Sequence, residues 1–229
     1  VAVLSGGLLS MFVVFALAPL MEMLFGYVTR FRLMELLNLD QPILRELMIN
    51  APGTYHHSLI VSQLVESGAK AIDAHSMLCK VAALYHDIGK IARPDYFIEN
   101  QFGRENPHNK LAPSMSALIL LSHVKRGVEL AQEHRLGAEV IDIIRQHHGS
   151  NIISYFYKKA QDLGENPSMA DYSYPGPKPQ TREAALGMLA AIVEASSRTL
   201  DHPTPNRLPN HTNTVIQGLL SSAQLDETD

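Results

Sequence analysis

The run Ser76-Met-Leu-Cys-Lys-Val-Ala-Ala-Leu-Tyr-His-Asp-Ile-Gly-Lys90 decides how the rest of the chain is read. Met77, Leu78, Val81, Ala82, Leu84 and Tyr85 follow the spacing of a strongly apolar helix over Ser76–Ile88, and Gly89 is placed to end it. His86 and Asp87 then sit near a helix end. Neighbouring residues on a helix differ by ~100° in direction, so this pair can reach two adjacent ions, or one ion from two sides.

Working outward, histidines recur near the ends of other predicted helices. Thr54 is placed to cap a helix over Tyr55–Ala71, with His56 and His57 in its first turn. Ser114–Ser122 and Val124–His134 read as two helical pieces with His123 at their junction. Ala138–His148 reads as a helix that Gly149 stops, ending on His147 and His148. Imidazole and carboxylate without thiolate suit Fe, Mn, Zn or Ni and argue against a purely structural zinc. Taken alone, His147 also fits a core role, because it follows Val140, Ile143 and Ile144 on one face. Residue types and spacing leave a metal site and a set of satisfied core histidines both standing. His75, His108, His134, His202 and His211 read as surface or loop residues.

The remaining segments are helical or irregular. Asp40 can cap a helix over Gln41–Asn50 with Pro42 in its first turn, and Pro52-Gly53 breaks it. Residues 92–113 form a polar connection, and Asn151–Leu163 is a further helix. Gly164–Gln180 carries Pro167, Pro175, Pro177 and Pro179 and reads as an ordered loop. Thr181 caps a long helix to about Leu200, and a weak helix lies near Thr212–Ser222. No segment alternates with period two, so the chain reads as all-α from about residue 40 onward. The 229 residues are 46% apolar and 18% charged, enough for a core and against intrinsic disorder. A net charge of −4 without a basic stripe disfavours long nucleic acid as a partner. The single cysteine, Cys79, excludes an internal disulfide framework and reads as a buried, inert residue.

Val1–Met21 contains no charged residue. As a helix it would span ~30 Å, one hydrocarbon core, although Ser5, Gly6, Gly7, Ser10 and Pro19 weaken it. A buried soluble helix is the alternative. Met21 and Met23 read as fillers at the membrane end or in the core. Arg30 and Arg32 follow directly, which by the positive-inside tendency places the downstream chain in the cytoplasm. The first residue is Val, so the chain is expected to be a piece of a longer protein.

The ordered motifs resemble one family. Ala51-Pro-Gly-Thr-Tyr-His-His-Ser58, Tyr85-His-Asp-Ile-Gly-Lys90, Arg93-Pro-Asp-Tyr-Phe-Ile-Glu-Asn-Gln101 and Asn106-Pro-His108 look like the seven-transmembrane HD family. So do Ser122-His-Val-Lys125, Gln146-His-His-Gly149, Ile153-Ser-Tyr-Phe-Tyr157 and Tyr174-Pro-Gly-Pro-Lys-Pro-Gln-Thr-Arg-Glu183. These are bacterial membrane phosphodiesterases that hydrolyse cyclic di-AMP. The likeness runs from about Pro19 to Asp226. It implies an HD-domain helical bundle: residues 1–28 would be the last transmembrane helix, 29–50 a connector and first helix, and 51–229 a cytoplasmic HD phosphohydrolase domain at the cell membrane.

The same resemblance implies two divalent ions, with Fe or Mn expected. His57, His86 and Asp87 would hold one; Asp87, His123, His147 and His148 would hold the other. His57 is chosen over His56 because the family's ligand immediately precedes the serine at 58. Asp87 and Lys90 would serve catalysis, Lys90 as a phosphate clamp on the helical face of His86. Cyclic di-AMP would be cleaved to linear pApA by water activated between the ions. Arg93, Asn106, Tyr157 and Arg182 are the candidate substrate contacts, with Tyr96, Phe97 and Tyr155 as further stacking faces. One position departs from the family. Its aspartate ligand falls at Ala191, and Ile192 also differs from the small residue usual there. Ala191 cannot coordinate, so the first ion would lose one carboxylate, and with one ion retained the domain would bind nucleotide as a sensor or scaffold. Glu194 is the alternative donor one turn on. An HD hydrolase acting on another nucleotide is a third reading, and a homodimer is left open.

Overall fold

The computed structural model describes residues 2–25, 28–200, 204–205 and 207–229, and only the backbone of residues 2–4 and 18–25. Ten α-helices are described: α1 (Ala2–Phe25), α2 (Arg30–Leu36), α3 (Pro42–Asn50), α4 (Pro52–Ala71), α5 (Ser76–Tyr85), α6 (Pro113–Glu133), α7 (Ala138–Gln146), α8 (Ser154–Asp162), α9 (Arg182–Ser197) and α10 (Arg207–Ser221). Among the described residues the nearest approach to a sheet is one isolated bridge, Ile152 to Ser173. The all-α expectation therefore holds.

The main core gathers Leu33 and Leu36 of α2, Ile43, Leu44 and Leu47 of α3, Val81, Ala82 and Tyr85 of α5, and Val140, Ile143 and Ile144 of α7. A smaller cluster joins Val61, Val65 and Ala69 of α4, Cys79 and Ala83 of α5 and Ala191 of α9. Full burial contributes roughly 1.5–3 kcal/mol for each large aliphatic side chain, so these clusters hold α4, α5, α7 and α9 as one frame. The buried Tyr85 hydroxyl is satisfied by donating to the Leu36 carbonyl at 2.7 Å.

Several sequence expectations are corrected. Thr54 does not cap α4. The helix begins at Pro52, whose ring presets the first helical φ, with Ala51 at the N-cap. Thr54 is instead buried, its Oγ1 donating to Glu99 at 2.9 Å. Likewise Gln41, not Asp40, occupies the N-cap of α3. Helix α5 ends at Tyr85 rather than Ile88, and Ile88–Ala92 tightens into a 3₁₀ turn. Gly89 sits inside that turn as a close-contact glycine, not as the helix terminator. A Cβ there would lie 1.9 Å from the His123 carbonyl oxygen and 2.5 Å from the Gly127 nitrogen. His123 lies within one unbroken helix, α6, because nothing between Ser122 and Val124 breaks the pattern. Helix α7 ends at Gln146 with His147 at its C-cap, two residues before the expected end, and Gly149 lies in the turn that follows at a positive φ of 52°. Thr181 caps α9, accepting from the Ala184 N–H at 3.2 Å.

The apolar N-terminal run forms α1, and its described side chains, residues 5–17, are exposed. Among the described residues no helix is long and apolar enough to cross a membrane. Much of the expected span, with Met21 and Met23, lies outside the described side chains, as does His202. His108 is no surface residue. It is buried, with Nε2 against the Tyr96 carbonyl at 2.9 Å and its ring 5.0 Å from that of Phe156. His75 is exposed but has a task, its Nδ1 accepting from the Leu78 N–H at 3.1 Å at the start of α5.

Candidate metal centre

Four elements converge on Asp87. His57 comes from the second turn of α4, His86 and Asp87 from the end of α5, His123 from α6, and His147 and His148 from the end of α7. The glycine contact between the 88–92 turn and α6 makes this possible, since it lets the His123 backbone approach the residue two positions after Asp87. Asp87 is 2% exposed. Its Oδ2 lies 3.1 Å from His86 Nε2 and 3.7 Å from His57 Nε2. Its Oδ1 lies 3.3 Å from His123 Nε2 and 3.6 Å from His147 Nε2. Two groups could each hold a cation with donor atoms within 4.8 Å of one another: His57, His86 and Asp87, and Asp87, His123, His147 and His148. His56 faces outward, exposed.

The backbone sets the tautomers. Nδ1 of His86, His123 and His147 lies against the carbonyl three residues earlier, Ala83 at 2.8 Å, Leu120 at 2.6 Å and Ile144 at 2.6 Å. A carbonyl only accepts, so each Nδ1 carries the proton and each Nε2 presents a lone pair to the centre. His123 Nε2 and His147 Nε2 then face each other at 3.3 Å. Asp87 Oδ1, fully buried, has no hydrogen-bond partner. Facing lone pairs beside an unpartnered carboxylate oxygen are repulsive, and a cation is the group that satisfies them. The donor set therefore fits a hard-to-borderline divalent metal.

Electrostatics agree. Burial, followed by the crowding of His147 and His123 beside it, pushes His148 well below the usual imidazole range. Burial likewise outweighs the pull of Asp87 on His123 and His147, and lowers both. All three are thus kept as neutral donors. Burial alone would raise Asp87, but His86 and Lys90 beside it hold the carboxyl well below the usual carboxylate range. Lys90 Nζ lies 2.8 Å from Asp87 Oδ2 and 2.8 Å from Glu99 Oε1, and 4.9 Å over the Phe97 ring. Since the helix does not continue past Tyr85, Lys90 reaches the site from a 3₁₀ turn. The two carboxylates more than offset its burial, and the ammonium is held above its ordinary value.

A cleft of about 280 Å³ opens beside the first group, lined by His57, Lys90, Ile98, Glu99, Glu194 and Arg198 among others. Glu99 and Arg198 carry no helical spacing signal that would have marked them. Tyr174, on the Pro-rich loop, stacks on His148 with ring centroids 4.1 Å apart and 18° between planes. The four expected substrate contacts lie elsewhere and do not line this cleft. Arg93 is exposed. Asn106 Oδ1 accepts from the His108 N–H at 3.0 Å and so caps the Pro107–Lys110 turn. The Tyr157 ring packs 5.6 Å from that of Tyr172. Arg182 is exposed at the start of α9, 3.5 Å from the Ile72 carbonyl. Ala191 packs in the apolar cluster against α4 and α5 and offers no donor.

Comparison with known proteins agrees with this geometry. The HD domain family matches residues 54–195. The chain is 40% identical over 223 residues to the cyclic-di-AMP phosphodiesterase PgpH of Bacillus subtilis (strain 168), covering 97% of this chain and 31% of that protein. It is 43% identical over 211 residues to the protein of the same name from Listeria monocytogenes serotype 1/2a (strain 10403S), covering 92% and 29%. The chain thus spans less than a third of the length of these relatives. The crystal structure of the L. monocytogenes PgpH HD domain in complex with cyclic-di-AMP is 42% identical, with a TM-score of 0.80 over 84% of this chain and 90% of that one. With the family match extending from the start of α4 to α9, across the whole histidine and aspartate cluster, the chain belongs to the HD domain family.

Proposed function

We propose that the chain is the HD phosphohydrolase domain of a bacterial cyclic di-AMP phosphodiesterase that releases linear pApA. The observation that carries this reading is the buried Asp87 carboxylate shared between two histidine groups, with one oxygen unpartnered. His57 and His86 with Asp87 would hold one ion, and Asp87 with His123, His147 and His148 the other, with Fe or Mn as the metals. Ions held there would polarise a phosphodiester and make water acidic enough to attack it. Lys90 presents an ammonium on the cleft wall next to these groups, where it would neutralise a phosphate oxygen, and Glu99 holds it there. Tyr174 packs against His148 and Phe97 against His123, beside the second group. Support for the substrate comes from the PgpH relatives and the cyclic-di-AMP complex of the similar domain.

In this reading residues 1–28 form the last transmembrane helix of a longer seven-transmembrane protein, residues 29–50 the connector, and residues 51–229 a domain facing the cytoplasm. The experiment is incubation of the Mn2+-loaded protein with cyclic di-AMP, followed by chromatography. Formation of pApA, absent in His86→Ala, is expected; equal rates in the two proteins overturn the reading.

One observation favours a second reading, a nucleotide-binding domain with little turnover. The position where the resemblance implies an aspartate ligand is Ala191, which packs in the apolar cluster against α4 and α5, and the first group has three donors against four in the second. Ala191→Asp is then expected to raise bound metal from about one to about two ions per chain and turnover at least tenfold, read by elemental analysis and product formation. No change in either removes this reading.

A further inference from the structure

We propose that Glu194, held in place by Arg198, is the positioning residue that fixes the His57 ring with Nε2 toward Asp87. The inference rests on the metal reading above. His57 differs from the other inward-facing histidines whose Nδ1 partner is seen. His86, His123 and His147 each use a backbone carbonyl three residues back. His57 Nδ1 instead faces Glu194 Oε2 of α9, in a short contact between two buried side chains. The other Glu194 oxygen is occupied. Oε1 accepts from Arg198 Nε at 2.8 Å and also from Arg198 Nη2. Arg198 is one turn further along the same helix, so the pair is preorganised by α9 itself.

The carboxylate can only accept, so the proton must sit on His57 Nδ1, and Nε2 carries the lone pair. That nitrogen is the one 3.7 Å from Asp87 Oδ2. An anionic acceptor behind a ligating imidazole also makes the ring a stronger donor than a carbonyl does. Glu194 is therefore not a substitute ligand for Ala191. It lies behind His57, outside both donor groups. Helix α9 contributes to the first ion through this hydrogen bond. Arg198 also lines the cleft, so anything entering there meets the outer face of the same pair.

The test is nitrogen-15 NMR of the histidine-labelled protein at about pH 8 or above, where free imidazole is neutral, together with Mn2+ titration. The His57 signals are assigned by their loss in His57→Gln. The expected parent spectrum shows His57 protonated at Nδ1. Glu194→Met, which keeps the volume, and Glu194→Ala, which does not, are expected to shift His57 toward Nε2 protonation; whichever folds carries the test. Affinity for the weaker Mn2+ ion is expected to fall roughly 10–100-fold. Glu194→Gln still offers a carbonyl and is expected to restore the Nδ1 tautomer and most of the affinity, which a merely structural role would not do. An unchanged tautomer in the folded Met or Ala variant, with Mn2+ uptake intact, overturns the role of Glu194 and leaves the metal centre standing. A parent that shows the Nδ1 tautomer but takes up no Mn2+ overturns the metal centre itself and this inference with it.

Discussion

Asp87 shows how much one side chain can be asked to do. Four imidazole nitrogens and the Lys90 ammonium lie within 3.7 Å of its two oxygens. Because it belongs to both donor groups, Asp87→Asn is expected to abolish uptake of both ions, whereas His148→Ala removes a donor of the second only. Elemental analysis per chain checks this, and metal content in Asp87→Asn equal to that of the parent overturns the shared-ligand geometry. Cys79 makes the opposite point. Its thiol is 2% exposed, and burial pushes its pKa up to about 12. At pH 8 the reactive thiolate is a fraction on the order of 10⁻⁴. A thiol-specific reagent is expected to leave Cys79 untouched in the native protein and to react within minutes in denaturant. Rapid native labelling would show that the α4–α5–α9 cluster opens.

Between elements, glycines decide how close the site's parts come. Gly89 lets the 3₁₀ turn lie on the backbone of α6, and Gly53 does the same for α4 on the 98–100 turn, where a Cβ would be 1.9 Å from the Glu99 carbonyl oxygen. That second contact sets Glu99 between Thr54 and Lys90, both of which donate to its Oε1. Backbone atoms cannot swing aside as a side chain end can. Gly89→Ala is therefore expected to destabilise the protein by about 3 kcal/mol or more, read by urea unfolding. Gly218→Ala, exposed in α10 with open space around it, is expected to be neutral or stabilising by up to about 1 kcal/mol. Similar losses from both variants would refute the close-approach explanation.

For the whole molecule, the concentration of buried imidazoles predicts an acid limit. Burial, the leading cause in each case, lowers the pKa of His108, His123, His147 and His148 below the imidazole's ordinary 6.5. Below that value the unfolded chain takes up protons that the folded chain resists. Stability is therefore fully present above about pH 6.5 and declines as pH falls toward the folded values. The metal-free protein is expected to show a Tm that drops steadily between about pH 7 and pH 5, measured by calorimetry in chelator. A flat profile would mean that these rings are not buried as neutral groups. Bound metal should raise Tm and make it concentration-dependent, since ligation favours the folded chain.

Apolar periodicity and capping residues were enough to make the chain all-α, because both act over one or two helical turns. They located the α9 start at Thr181 without reference to anything distant. The residues that converge, His57, His86, Asp87, His123, His147 and His148, were legible as residue types, and their grouping was read through resemblance. What local signals could not carry is distance. The role of Gly89 as a contact point and the burial of Thr54 both depend on partners tens of residues away. The carboxylate behind His57 comes from 137 positions further along the chain. Hydrogen bonds and close packing fall off within a few ångströms, so such partners exist only once the chain has folded them together.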